Sequence, residues 1–235
     1  MWQGGFVNAA ANPSLARPAA TVIIARPDDP RDPDGGFEVL LLKRSEVGAF
    51  AGLWVFPGGR VEDADPGDDE LARAASAAVR EAAEEVGITV DPASLITLSH
   101  WTPPMIAPKR FTTWFFVAPW AGDEVTVDGH EIVDSRWVRP EVAIAERLPI
   151  APPTHVTLVA MAEAMTFDGL RALVERRGIE RFMTVPTQLD GRLVLLWEPD
   201  VGYATADPTV PGRRHRMTIP SNVLTGGGEQ IYERT

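Results

Sequence analysis

The residues best suited to chemistry lie between positions 80 and 88, where the sequence reads Arg-Glu-Ala-Ala-Glu-Glu-Val-Gly-Ile. On an α-helix, side chains three and four positions apart share a face, so Glu81 lies beside Glu84 and Glu85. Each like-charged pair at this spacing costs about 0.2–0.5 kcal/mol, and the last turn of a helix favours cations over anions. A divalent cation would reverse both penalties. The cluster therefore predicts a site for a metal ion that prefers oxygen ligands, such as Mg2+.

The alternative is that these glutamates only form the solvated face of a helix. An isolated Glu-x-x-Glu-Glu is more often such a face than a site. Here the cluster follows a glycine turn at Gly58-Gly59, contains the pair Arg80-Glu81 and ends at Gly87. This combination favours the metal site.

The elements that must position the cluster can be predicted from local patterns. An alanine-rich run of strong helix formers from Glu70 to Val86, followed by Gly87, predicts a helix that ends at that glycine. Beyond it, Asp190-Gly191 predicts a hairpin turn, and the tail from Pro211 reads as irregular. Apolar and β-branched segments predict strands at 19–26, 37–43, 95–101, 111–117 and 132–138, and amphipathic patterns predict helices at 140–146, 154–165 and 167–177. The first two strands are expected to pair in an antiparallel ribbon.

Composition excludes several classes of function. The formal net charge of −11 argues against a surface that grips nucleic acid. The absence of cysteine rules out disulfides, thiolate zinc sites and cysteine nucleophiles. The first 18 residues lack the features of a signal peptide, and no run of 18 apolar residues is present, so neither export nor a membrane partner is expected. We expect a cytoplasmic protein.

Together, Gly58-Gly59 and the Arg80 to Ile88 segment resemble the motif of the Nudix hydrolase family, Gly-x5-Glu-x7-Arg-Glu-U-x-Glu-Glu-x-Gly-U, in which U is aliphatic. The second half matches almost completely, with Ala82 at an aliphatic position. The first half departs from the pattern. Counting from Gly59 places Asp65 at the first acidic position, whereas counting back from Arg80 gives Ala72, so about seven extra residues separate the halves.

The resemblance implies an α/β fold, the Nudix α/β/α sandwich with a mixed curved sheet, here with a C-terminal helical extension. It implies domain bounds of 1–18 for an N-terminal extension, 19–150 for the Nudix domain and 151–235 for an extension packed on it. It also implies Mg2+, with Mn2+ as a substitute, held by Glu81, Glu84, Glu85 and the Gly59 carbonyl. Arg80 would hold one of the carboxylates. Catalytic roles are assigned to Glu84 and Arg80, with Glu62 and Glu131 as further candidates for binding the metal or acting as the base.

The resemblance further implies hydrolysis of a diphosphate linkage in a nucleoside diphosphate joined to another group. Residues 41–45 and 52–59 are similar to the segment that coenzyme A diphosphatases carry before the motif. The insertion in the motif and residues 101–103, 110–116 and 152–154 look more like the branch that includes acyl-CoA diphosphatases, so coenzyme A or acyl-CoA is the leading substrate. ADP-ribose or a dinucleotide is the alternative, and a non-catalytic nucleotide sensor is an alternative of another class. A homodimer is left open. For the aromatic residues Trp101, Phe111 and Trp114, core packing is favoured over contact with a base or an acyl group.

Overall fold

The computed structural model describes residues 16–29, 31–32, 35–48, 50–105, 107, 110–127, 129–219 and 230–235. Most of the predicted N-terminal extension, residues 1–15, lies outside these ranges. The central strand is β1 (Arg17–Pro27), which pairs antiparallel with β2 (Phe37–Arg44) and parallel with β6 (Phe111–Pro119). The predicted antiparallel ribbon is therefore confirmed.

These three strands belong to a mixed sheet of eight strands. The other strands are β3 (Trp54–Val55), β4 (Gly58–Arg60), β5 (Ile96–Thr102), β7 (Ile132–Val138) and β8 (Glu180–Met183). The order is β3-β2-β1-β6-β5-β8, with β4 on β1 and β7 on β2. Pairing is parallel for β1 with β6 and for β5 with β8, and antiparallel elsewhere in this sheet.

Helices cover both faces of this sheet. They are α1 (Glu70–Val86), α2 (Pro140–Ala145), α3 (Pro152–Ala164) and α4 (Phe167–Arg177), and a 3-10 turn spans Pro92–Ser94. Side chains alternate along β1, so Val22 and Ile24 pack beneath α1, whereas Ile23 and Ala25 pack in the core that α2, α3 and α4 cover. This layering confirms the predicted α/β/α sandwich.

The helix α1 has the bounds that the sequence predicts. Its N-terminus is capped by the Asp69 carboxylate, which accepts a hydrogen bond from the Ala72 amide at 2.8 Å. Its C-terminus is closed by Gly87, whose φ of 69° is in the left-handed region. Buried alanines at helical spacing let α1 lie close to the sheet: Ala74, Ala77, Ala78 and Ala82. The close approach brings its last turn against β4.

Residues 151–235, the predicted C-terminal extension, contain the two predicted helices α3 and α4, and the described part also contains strands. Besides β8, it forms a four-stranded antiparallel sheet in the order β12-β11-β10-β9. These strands are β9 (Val185–Leu189), β10 (Arg192–Leu196), β11 (His215–Ile219) and β12 (Ile231–Arg234). The hairpin at Asp190-Gly191 is confirmed, and both turn residues have positive φ.

The prediction of an irregular tail from residue 211 is wrong at β11 and β12. Within the charged run Arg213-Arg214-His215-Arg216, Arg216 is buried against Asp200, with two hydrogen bonds of 2.6 and 2.7 Å. Pairing with a distant carboxylate allows the strand to be buried despite its charge.

Aromatic side chains join the two sheets. Trp101 on β5 stacks on Phe182 of β8 with ring centroids 3.9 Å apart, and Trp197 meets Trp101 edge-on at 5.5 Å. Trp101 and Trp114 are buried, so for these two the expected core packing is confirmed, while Phe111 is half-buried. None of the helices in the described ranges is long and apolar enough to span a membrane.

Candidate active site

One edge of the large sheet gathers most of the predicted site residues. The strands β2, β4, β5 and β8 end at this edge, and β1, β6 and β7 begin there. Arg44 therefore ends its strand opposite Ile132, immediately after Glu131 in the chain. The last turns of α1 reach the same edge through contacts with β4.

The two glycines of β4 are required by close packing. At Gly59, a Cβ atom would lie 2.3 Å from Oε1 of Glu81, and at Gly58 it would lie 2.5 Å from the Ala20 carbonyl oxygen. Any side chain at position 59 would therefore displace the Glu81 carboxylate. The bare backbone at Gly59 faces the first carboxylate of the cluster.

Arg80 connects the two halves of the motif. Its guanidinium donates hydrogen bonds to Asp65 at 2.9 and 3.1 Å, to Glu81 at 2.8 Å and to Glu84 at 2.9 Å. It also donates to the Arg60 carbonyl at 2.9 Å. The hydrogen bonds from Arg80 lower the pKa of Asp65, and the same pairing raises the pKa of Arg80. The charged form of this network is therefore stabilised.

This network favours Asp65 as the residue at the first acidic position of the motif. Asp65 is buried, binds Arg80 with both carboxylate oxygens and accepts the Glu62 amide at 2.7 Å. The extra residues therefore lie between Asp65 and Arg80, in the loop before α1 and in its first turns. Counting forward from Gly59 found this residue, and counting back from Arg80 did not.

Glu85 is the most buried carboxylate of the helix cluster. It accepts a hydrogen bond from the Gly58 amide at 2.9 Å. Burial raises the pKa of Glu85 to about 7; the Gly58 hydrogen bond opposes the rise, and the charge of Glu81 adds to it. Burial also raises the pKa of Glu81, although Arg80 opposes this shift. Two of the three carboxylates are thus held where an unpaired negative charge is costly.

Arg44 is a site residue that the sequence reasoning did not single out. Its guanidinium forms an ion pair with Glu131 and lies 3.8 Å from Oε1 of Glu85. Its side chain is only 12% exposed. Arg44 thus joins Glu131 to the carboxylate cluster. The pairing of Arg44 with a residue 87 positions away gives no local signal in the sequence.

The structure does not bring Glu62 into this cluster through its side chain. The Glu62 side chain is exposed and makes no hydrogen bond or ion pair within the described ranges. Its backbone instead serves the loop, because its amide donates to Asp65 and its carbonyl accepts from Arg73 at 2.7 Å.

The donor set suits a cation such as Mg2+. Glu81, Glu84 and Glu85 offer carboxylate oxygens, and the Gly59 backbone lies against Glu81 without a side chain between them. In the described part of the chain, no three carboxylate or imidazole groups already converge at metal-binding geometry. Arg80 instead bridges Glu81 and Glu84, and Glu85 is turned toward Gly58. Binding a metal at all three carboxylates would therefore require their side chains to rearrange.

Comparisons with known proteins agree with this fold. The family model of the NUDIX domain matches residues 15–159. A NUDIX hydrolase from Alicyclobacillus acidocaldarius is 22% identical, covering 67% of this chain and 95% of its own, with a TM-score of 0.57. The NUDIX domain of Shewanella oneidensis NrtR, complexed with ADP ribose, is 17% identical, covering 63% and 86%, with a TM-score of 0.47.

An Ap4A hydrolase from C. elegans, solved as a binary complex, is 26% identical, covering 63% of this chain and 96% of its own, with a TM-score of 0.45. The comparison with curated proteins gives no match. The architecture is a mixed sheet between helices, with a glycine turn and a carboxylate-bearing helix at one edge. The chain belongs to the Nudix hydrolase family, and it is a pyrophosphohydrolase.

Proposed function

We propose that this enzyme hydrolyses the diphosphate linkage of a nucleoside diphosphate joined to a second group, with Glu81, Glu84, Glu85 and the Gly59 carbonyl holding Mg2+, or Mn2+ in its place. The observation that carries the proposal is the Arg80 network, which fixes Glu81 and Glu84 beside the glycine turn. When bound, the metal would supply charge neutralisation for the diphosphate and acidify a water molecule.

Side chains of this protein orient the carboxylates that would hold the metal. Arg80 orients Glu81 and Glu84, and Asp65 in turn orients Arg80 through two hydrogen bonds. Arg44 draws Glu131 toward Glu85 and adds positive charge at the edge where an anionic substrate would enter. These contacts organise the site before substrate binds, which reduces the reorganisation needed during the reaction.

For the base that takes the proton from the attacking water, we favour Glu131 or Glu84 over Glu62. The Glu84 side chain is 59% exposed, so it can accept a proton and release it to solvent. Glu131 is held near the cluster by Arg44. Glu62 has no comparable contact and becomes the weakest of the predicted candidates.

Coenzyme A or an acyl-CoA is the proposed substrate, with ADP-ribose or a dinucleotide as the alternative. Support comes from the resemblance of residues 41–45 and 52–59 to coenzyme A diphosphatases, together with the position of that segment at the site. A role as a non-catalytic sensor is disfavoured because Glu81, Glu84 and Glu85 are all retained. The domain bounds at 18 and 150, the cytoplasmic location and a homodimer stay predictions.

The test is to incubate the protein with Mg2+ and a panel of coenzyme A, ADP-ribose, NADH and dinucleoside polyphosphates, and to measure the phosphate-containing products. We expect Glu84→Gln to lower the rate by about 100-fold or more. The matched control is Glu175→Gln, an exposed glutamate on α4, which should retain the wild-type rate. Absence of product at every metal concentration would refute the proposed hydrolytic activity. Equal rates for the Glu84 and Glu175 variants would refute the assignment of Glu84 to the site.

A further inference from the structure

The chain between β2 and β3, described at residues 45–48 and 50–52, begins at the candidate site. Ser45 follows Arg44 directly, and its amide donates to the Glu131 carbonyl at 2.9 Å. The Arg44 amide donates to the Leu53 carbonyl at 3.0 Å, which closes the base of the loop. The loop is therefore anchored to the two residues, Arg44 and Glu131, that flank the carboxylate cluster.

Phe50 in this loop combines two unfavourable features. Its side chain is 52% exposed, and its φ of 58° places a residue with a Cβ in the left-handed region. Exposure of an aromatic ring forgoes hydrophobic stabilisation, and the left-handed backbone costs free energy for any residue but glycine. Gly48 and Gly52 adopt positive φ in the same loop without that cost. A glycine at position 50 would serve folding better than phenylalanine.

The backbone of Phe50 is linked to the site through hydrogen bonds. Its carbonyl accepts the Leu53 amide at 3.0 Å, and Leu53 is bonded in turn to Arg44. Three residues of chain span at most about 10 Å, so the backbone of Phe50 lies within about 10 Å of Leu53, in the loop whose base Arg44 closes. Val47, 80% exposed, gives the same loop a second apolar side chain. The loop thus carries two exposed apolar side chains, Val47 and Phe50, and it begins next to the charged residue Arg44.

We propose that Phe50 is a specificity-determining residue. Its ring stacks on the nucleobase of the substrate while the diphosphate lies at the carboxylates. The inference rests on the proposed function, because it assumes a nucleoside diphosphate at the site. A base is the occupant that fits because each proposed substrate carries one, whereas only some carry an acyl chain. Its flat face matches an exposed aromatic ring, and such stacking tolerates different bases.

The test compares two probes that differ in the base. ADP carries a nucleobase and a diphosphate, whereas inorganic diphosphate has no nucleobase. Both are measured as competitive inhibitors with Mg2+ present. We expect Phe50→Ala to weaken the binding of ADP about tenfold and to leave the binding of inorganic diphosphate unchanged. Phe50→Trp keeps a stacking surface and should retain ADP binding.

Two further variants separate recognition from folding. Phe50→Gly removes both the ring and the backbone strain, so we expect a melting temperature at or above that of the wild type, together with the same loss of ADP binding. The matched control is Met165→Ala, because Met165 is also exposed and at positive φ but follows α3 and lies beside Phe37, at the opposite edge of the sheet. It should leave both inhibitors unaffected.

Three results would overturn the inference while leaving the proposed function intact: equal weakening of ADP and inorganic diphosphate, no weakening of ADP, or an effect confined to acyl-CoA substrates. A wild-type protein that binds neither probe and cleaves nothing in the substrate panel would instead remove the proposed function itself. The two failures are therefore distinguishable in one set of measurements.

Discussion

Asp65 and Arg80 are joined by two hydrogen bonds of 2.9 and 3.1 Å, although they lie fifteen positions apart in the chain. Through this pair, the loop before α1 controls the orientation of Glu81 and Glu84, which Arg80 binds with its other nitrogen. The insertion between them has lengthened the path along the chain without breaking the contact. An aspartate, shorter by one methylene than glutamate, can reach Arg80 because the loop brings it into a buried position.

Replacing Asp65 with Asn should weaken activity without unfolding the protein. Asparagine keeps the size of the side chain but removes the charge that holds Arg80, so Glu81 and Glu84 lose a fixed orientation. We expect the apparent Mg2+ affinity or kcat to fall by about 10–100-fold, measured by metal titration of the steady-state rate. Asp68→Asn, at an exposed position in the same loop, is the control and should behave as wild type.

Gly59→Ala tests the close approach of β4 to α1. The added Cβ would lie 2.3 Å from Glu81, which must therefore move away from the backbone. We expect at least a 100-fold loss of kcat/KM and weaker Mg2+ binding in a protein whose circular dichroism spectrum remains that of the wild type. A variant with normal Mg2+ affinity would show that Glu81 is not tied to this glycine.

Arg44→Met removes a positive charge but retains an apolar stem of similar length. Glu131 would lose its partner, and Glu85 would lose the nearest guanidinium outside the Arg80 network. We expect KM for the diphosphate substrate to rise about tenfold or more, because both the anion-attracting charge and the position of Glu131 are lost. Arg44→Lys restores the charge but not the forked geometry, so it should rescue only part of the loss. Full activity in Arg44→Met would refute the role.

The sequence predicts helices and turns that depend on neighbouring residues. It does not predict contacts between residues that are far apart in the chain. The bounds of α1 follow from its alanine-rich composition and Gly87, and the hairpin at Asp190-Gly191 follows from turn chemistry. Arg44 gave no signal because its partner Glu131 lies 87 positions away, immediately before β7. The strand β11 was missed because a buried arginine resembles an exposed one until its carboxylate is known.

The ion pair of Asp200 with Arg216 leads to a prediction about the stability of the fold. Asp200 and Arg216 are both buried, and the guanidinium also donates to the Pro208 carbonyl. Removing one member of a buried ion pair leaves the other charge without compensation, so Asp200→Asn should reduce the free energy of unfolding by about 3–5 kcal/mol. Chemical denaturation measures this loss. Asp29→Asn, which breaks an exposed pair with Arg31, should have little effect.

The same pair should give a characteristic dependence on pH. Burial alone would raise the pKa of Asp200, but hydrogen bonds from Arg216 and from the His215 and Gly202 amides lower it to about 2. Because the folded pKa lies below the unfolded value of about 3.9, the stabilisation is present above pH 4 and is lost as the pH falls toward 2. The stability difference between wild type and Asp200→Asn should therefore shrink over that interval. A constant difference would contradict the assignment.

The strand β8 has a consequence for how the chain folds during synthesis. It pairs with β5 and places Phe182 on Trp101, yet it follows β5 by more than 75 residues. Until residue 183 has left the ribosome, the nascent Nudix domain exposes an unpaired strand edge with a large aromatic side chain beside it. Such an edge is a template for pairing with other chains. We therefore expect β8 to protect this edge against aggregation, and a chain that stalls on the ribosome before β8 emerges to leave the edge of β5 open.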